Sequence, residues 1–190
     1  MTVLEVRNEM ATDKRFLDEL FDRMTVPEGY KAEIVEGTVF MWPQRDTHWE
    51  ITMDILEQLR FTYPRKQLKS DVRVDYPGHL NGFASDVTLV AEAAEKNGEG
   101  LWFCEDVEFV AEIISKGTAQ NDYGPKKTAY ALAEVPAYLI ADPYQGKCHL
   151  FTQPKDGEYV SELSVAFGAD VDMTTTHLGL TLKTDEFPRD

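Results

Sequence analysis

The sequence predicts a mixed α/β or α+β domain. Two observations carry that expectation: the central order strand, strand, helix, strand, and short strand pairs resembling hairpins at both ends of the chain. A third sets its scale. At 190 residues, with 43% hydrophobic and 11% aromatic content, the chain suits one sizeable globular domain over 1–190 rather than two cores. No internal repeat or linker divides it.

Residues 12 to 24 read as an amphipathic helix, with Phe16, Leu17, Leu20, Phe21 and Met24 on one side, broken by Pro27, Glu28 and Gly29. The strands KAEIVE and TVFMW follow, joined at Glu36-Gly37 as a tight hairpin. Thr47 with Glu50 forms a capping-box pattern, and Asp46 adds negative charge there. The helix that follows places Trp49, Met53, Leu56 and Leu59 at three- and four-residue spacings and stops before Pro64. VRVDY and FASDVTLV read as strands around a Pro-Gly turn, and AEAAEKNGEG as a helical stub and loop. The strand VEFVAEIIS and the loop SKGTAQN come next. A helix from Asn121 or Asp122 to about Glu134 tolerates Pro125 in its first turn. PAYLIAD, KCHLFT, GEYVSELSV and LTLK are the remaining strand-like pieces.

No apolar run approaches the ~20 residues of a membrane span, and MTVLEVRNEM lacks a signal-peptide pattern, so a cytoplasmic protein without a membrane partner is expected. Cys104 and Cys148 read as buried reduced thiols. Without a CxxC, and with His48, His79, His149 and His177 scattered, a structural zinc site is not expected. The net charge of −15 gives no long-range attraction to nucleic acid. It favours a basic protein partner, and any nucleic-acid reading needs a metal or a local basic patch. The best local patch is YPRKQLK with Arg73 beyond it, which also reads as a solvated helix end.

Glu112 lies inside the apolar run VEFVAEIIS, and Asp86 lies inside FASDVTLV. An ionised carboxylate held away from water costs several kcal/mol unless compensated. Strand alternation places Glu112 with Val110 and Ile114, and Asp86 with Ala84 and Thr88. Two such acids ~4 Å apart repel by about 4 kcal/mol at an effective dielectric of 20. Protonation, a lysine or arginine partner, or a divalent cation each relieves that; oxygen ligands of this kind suit Mg2+ or Mn2+. Asp122 and Lys126 stand four apart on the next helix, either as a surface pair or with Lys126 reaching back to the acids. Lys127, about 100° round the helix, points elsewhere.

These residues resemble the core of the Uma-two family, restriction-endonuclease-like proteins of the PD-(D/E)XK nuclease superfamily. Its P-D-V strand, E-V-x-S strand, D-x-x-x-K-x-x-x-Y helix start and V-P-x-Y-W-x-x-D-P strand correspond to Ser85-Asp86-Val87, Glu112-Ile113-Ile114-Ser115, Asp122 through Lys126 to Tyr130, and Val135-Pro136-Ala137-Tyr138-Leu139 through Asp142-Pro143. AEIVEG followed by His48 is similar to its E-L-I-D-G segment and the histidine of its next helix. The resemblance covers about residues 15 to 165. Ser85 replaces the family's proline and Leu139 its aromatic residue; Ile114 stands where the superfamily carries a strand lysine.

What the resemblance implies is a restriction-endonuclease-like mixed central sheet flanked by helices, and a metal-dependent endonuclease acting on DNA. Asp86, Glu112 and the Ile113 carbonyl would hold Mg2+ or Mn2+, and Lys126 would position the attacking water. Glu33 would add an outer carboxylate. Asp122 would orient Lys126 or cap its helix, and His48 would act in support or simply open its helix. A homodimer would suit cutting both strands. The alternatives are an inactive nuclease-like fold serving as an interaction or regulatory module, and metal-dependent hydrolysis of RNA or a nucleotide.

Overall fold

The computed structural model describes residues 3–43 and 45–190, with side-chain environments given from residue 13 onward; Met1 and Thr2 of the N-terminal stretch lie outside it. Helix α1 (Val3–Arg23) leads to the hairpin of β1 (Tyr30–Val35) and β2 (Thr38–Pro43). Glu36 and Gly37 close that hairpin at φ 48° and 74°. Two consecutive left-handed residues make the two-residue turn whose twist matches the strands it joins.

Helix α2 (Asp46–Arg60) is followed by β3 (Leu68–Lys69), β4 (Val74–Tyr76), β5 (Asn81–Phe83), β6 (Val87–Val90) and β7 (Val107–Ile113). Two short helices, α3 (Ala119–Tyr123) and α4 (Pro125–Leu132), return the chain to β8 (Ala137–Asp142). The long hairpin β9 (Lys147–Lys155) and β10 (Glu158–Ala166) and the short pair β11 (Val171–Asp172) and β12 (Thr181–Leu182) complete the chain.

A six-stranded sheet runs in the order β10-β9-β8-β7-β6-β3, and a four-stranded sheet in the order β2-β1-β5-β4. Only β7 and β8 pair in parallel within the large sheet, as the α3–α4 crossover requires; its other pairings are antiparallel. The central strands β6, β7 and β8 are buried almost throughout. They read as nearly continuous apolar runs because both faces are covered.

One face packs Val87, Leu89, Phe109, Ala111 and Leu139 against Ile51, Ile55 and Leu59 of α2 and against the C-terminal segment through Phe187. The other face brings Val110, Tyr138 and Ile140 against Val35, Tyr76 and Phe83 of the small sheet and Tyr130 of α4. Leu17 of α1 covers the far side of the small sheet at Ile34 and Leu80. This is the mixed-sheet, helix-flanked architecture expected from the sequence.

Several local expectations differ from the structure. FASDVTLV is not one strand. Ala84 to Asp86 leave the ladder between β5 and β6, so the run hands the chain from the small sheet to the large one. The helix stub expected in AEAAEKNGEG is absent; turns and one isolated bridge at Lys96 occupy it. Thr47 does not cap α2. Arg45 holds that position without a side-chain bond, while Thr47 donates to Asp190 at 2.6 Å. The buried stripe of α2 is Ile51, Thr52, Ile55 and Leu59, and Trp49 is 60% exposed.

The helix expected from Asn121 breaks at Gly124, where a Cβ would meet the Gln120 carbonyl at 2.8 Å and Pro125 starts a new helix. Asp122 therefore caps nothing; it is buried in α3. Of the cysteines, both free, Cys148 is buried and Cys104 half-buried.

Candidate active site

The polar cluster lies between the two sheets. In β1, Lys31 and Glu33 point into this layer with Val35, while Ile34 points to the α1 side. Asp86 precedes β6. The β6–β7 register pairs Val87 with Ala111, which sets Asp86 across from Glu112 on one face of the sheet. Helix α4 brings Lys126 and Tyr130, one turn apart, over the same face.

Lys126 is 1% exposed and binds three carboxylates: Glu112 at 2.8 Å, Glu33 at 2.9 Å and Asp122 at 3.0 Å. Lys127 turns away and lies over the Phe151 ring. Tyr130 donates its hydroxyl to Glu112, so Ser85 Oγ, 2.9 Å away, donates to the Tyr130 oxygen. Glu33 accepts from the Ala84 backbone N–H at 2.8 Å, which fixes the bend that aims Asp86 inward.

Around Asp86 the partners are different. Lys31 donates to its Oδ1 and reaches Asp71 at 2.5 Å. The Ile113 backbone N–H donates to Oδ2 at 2.8 Å. His48 Nε2 stands 2.8 Å from the same oxygen but is buried without an aligned hydrogen bond.

Sequence reasoning missed Lys31, Ser85 and the Tyr130 hydroxyl as members of the cluster. For Lys31 the signal was available, since a lysine two residues before Glu33 shares its strand face. Arg73, grouped with the basic stretch, belongs elsewhere: Asp75 and Asp18 hold it at 2.7 Å each.

Glu33, Asp71, Asp86, Glu112 and Asp122 surround two ammonium groups, so full ionisation would leave three excess negative charges with His48 neutral. That excess falls unevenly. Burial pushes Glu112 up to about 8; Lys126 opposes this, and Glu33 and Asp86 add repulsion. Burial likewise raises Asp122 to about 6 against the pull of Lys126. For Asp86 burial also acts upward, but Lys31 and His48 outweigh it and hold the carboxyl well below its usual range. Burial disfavours both ammonium groups, yet the acids around Lys31 and Lys126 raise each above its ordinary value.

The donor chemistry suits a small hard cation: paired carboxylates, an excess of negative charge and an imidazole nitrogen aimed at one of the acids. Among the described residues no three acidic, histidine or cysteine side chains already converge in ligating geometry. Lys31 on Asp86 and Lys126 on Glu112 stand in that space.

Tyr130→Phe isolates the consequence of this packing. Removing one hydroxyl leaves Glu112 and Ser85 each short of a buried partner, and the expected cost is about 1–3 kcal/mol in urea denaturation.

A family model described as "Putative restriction endonuclease", Uma2, matches residues 18–185. The chain belongs to the Uma2 family. Membership extends about twenty residues beyond the resemblance read from the motifs, taking in β11 and β12. Among solved structures the chain is similar to one titled a "putative nuclease belonging to DUF820" from Anabaena variabilis, with TM-score 0.69 and 15% identity over 90% of this chain and 96% of that one. At that identity the likeness establishes a shared fold, the restriction-endonuclease-like one. No curated protein matches the chain. Among the described residues no helix is long and apolar enough to cross a membrane.

Proposed function

We propose that this Uma2 protein is a divalent-metal-dependent endonuclease that hydrolyses phosphodiester bonds in DNA. One observation carries the reading: Asp86 and Glu112 face each other across paired strands, with the buried ammonium of Lys126 on Glu112.

Asp86, Glu112 and the Ile113 carbonyl would hold Mg2+ or Mn2+, with His48 available beside Asp86. When bound, such a cation supplies Lewis-acid charge to a phosphoryl oxygen and lowers the pKa of coordinated water. The chain's own residues do the rest. The Ile113 N–H orients Asp86 through Oδ2. Glu33 and Asp122 hold Lys126 at the edge of the acid pair. There its ammonium positions a water and offsets charge that develops on the phosphate. Tyr130 and Ser85 fix the Glu112 carboxylate.

The test is calorimetric titration with Mn2+ together with a plasmid-nicking assay. Binding heat and nicking are expected for the wild type, and both are lost in Asp86→Ala. A wild type that binds no Mg2+ or Mn2+, or binding unchanged in Asp86→Ala, overturns the proposal. The second reading, an inactive nuclease-like fold serving as an interaction module, draws support from the lysines that already compensate both acids. Metal binding without nicking by the wild type would favour it.

A further inference from the structure

The stretch YPRKQLK contains a cationic feature that the acid cluster does not use. Lys69 Nζ lies 4.6 Å from the centre of the Trp102 ring, and Lys96 Nζ lies 5.5 Å from the same centre. A backbone bridge joins Lys96 to Trp102, which places Lys96 beside the ring. Neither has a carboxylate within ion-pair distance among the described residues; Lys69 donates instead to the carbonyls of Lys66 and Leu68. Lys66 has only a loose, exposed contact with Glu92 at 3.8 Å.

In a chain of net charge −15, two ammonium groups lie over one indole ring with no acid in ion-pair distance among the described residues. Their mutual repulsion shows at Lys69, whose pKa burial lowers and Lys96 lowers further.

Position gives the patch its meaning. Lys69 pairs with Thr88 in the β3–β6 ladder, so it shares the sheet face to which Asp86, two residues before Thr88 and just ahead of β6, also points. Two residues on from Lys69, Asp71 donates its backbone N–H to Ser85 and contacts Lys31 on Asp86. The chain leaving edge strand β3 thus passes from Lys69 to Asp71, which touches the acid cluster.

We propose that Lys69 and Lys96 over Trp102, with Lys66 beside Lys69, bind the phosphate backbone of a nucleic acid and lead it to Asp86 and Glu112. The proposal rests on the nuclease reading for its substrate but on its own residues for its geometry. A polyphosphate strand is the partner that two such cations on a partly exposed aromatic ring, with a third nearby, recognise through counterion release and stacking. It also supplies the local attraction that the overall charge withholds.

The test is fluorescence anisotropy with a labelled 20-base-pair duplex in EDTA from 25 to 200 mM KCl, where binding is read without cleavage. The wild type should bind, with a falling affinity as salt rises. In Lys69→Ala/Lys96→Ala the slope of log affinity against log salt should shrink by about 1.8, with about a tenfold loss at low salt. A charge-matched control, Lys147→Ala/Lys155→Ala, should lose much less. No binding by the wild type overturns the proposal, as does a double variant that loses no more than the control. Polyglutamate competing as well as unlabelled duplex also overturns it. Because EDTA removes the metal, binding without Mn2+-dependent cleavage sinks the nuclease reading alone, and cleavage without a Lys69/Lys96 effect sinks the patch alone.

Discussion

Replacing Lys126 with methionine is expected to destabilise the protein by about 3–5 kcal/mol, which for a chain of this size lowers Tm by roughly 6–20 °C. The methionine fills most of the volume, so packing is not the main loss. Three carboxylates, Glu33, Glu112 and Asp122, lose their shared cation inside the fold. The measurement is urea denaturation at two pH values. At pH 5 protons can replace the missing ammonium on the raised acids, so the deficit should be smaller than at pH 8. An equal deficit at both pH values would mean that Lys126 acts through packing rather than charge.

The second large effect is on the wild type itself. Glu112 rises to about 8 and Asp122 to about 6 in the folded chain. Unfolded, both return to ordinary carboxylate values near 4. Between those limits the folded state binds more protons than the unfolded one, so stability falls as pH rises. The contribution is fully present below about pH 4 and is lost by about pH 8. With each pKa unit worth about 1.4 kcal/mol, the change amounts to several kcal/mol. Asp86, depressed in the fold, works in the opposite sense and only in acid: its contribution is present above its unfolded pKa and disappears as pH falls through its lowered folded value. Urea midpoints in EDTA should therefore decline from pH 5 to pH 8. Saturating Mn2+ should flatten the decline, because a cation at the acids takes the place of the protons. A flat profile in EDTA would refute the charge excess assigned to the cluster.

How far the sequence could lead is visible in particular residues. Asp86 and Glu112 were legible because each carboxylate interrupts an apolar run, and strand periodicity states which neighbours share its face. Lys126 was legible from its four-residue spacing to Asp122, a spacing that survives the break at Gly124. Lys31 was legible only as a strand-face neighbour of Glu33; its place on Asp86 was not, because its hairpin comes 55 residues earlier and the pairing of β1 with β5 brings the two together. The division of FASDVTLV between two sheets was equally hidden. A run that changes partners midway keeps the same alternation as one that does not. The capping reading at Thr47 failed for a related reason. Local spacing offered Glu50, but Asp190, 143 residues on, accepts the Thr47 hydroxyl hydrogen bond.

Lys31 sets the terms on which any divalent ion could reach Asp86. The position next to that carboxylate already holds a positive charge, so an arriving ion meets a competitor rather than an open seat. Asp71, 40% exposed and in contact with the same ammonium, offers the displaced lysine an anionic berth nearer solvent. Loading would then be an exchange of one cation for another. Its observed affinity would be the difference between two attractions, and shortening Lys31 would tighten it.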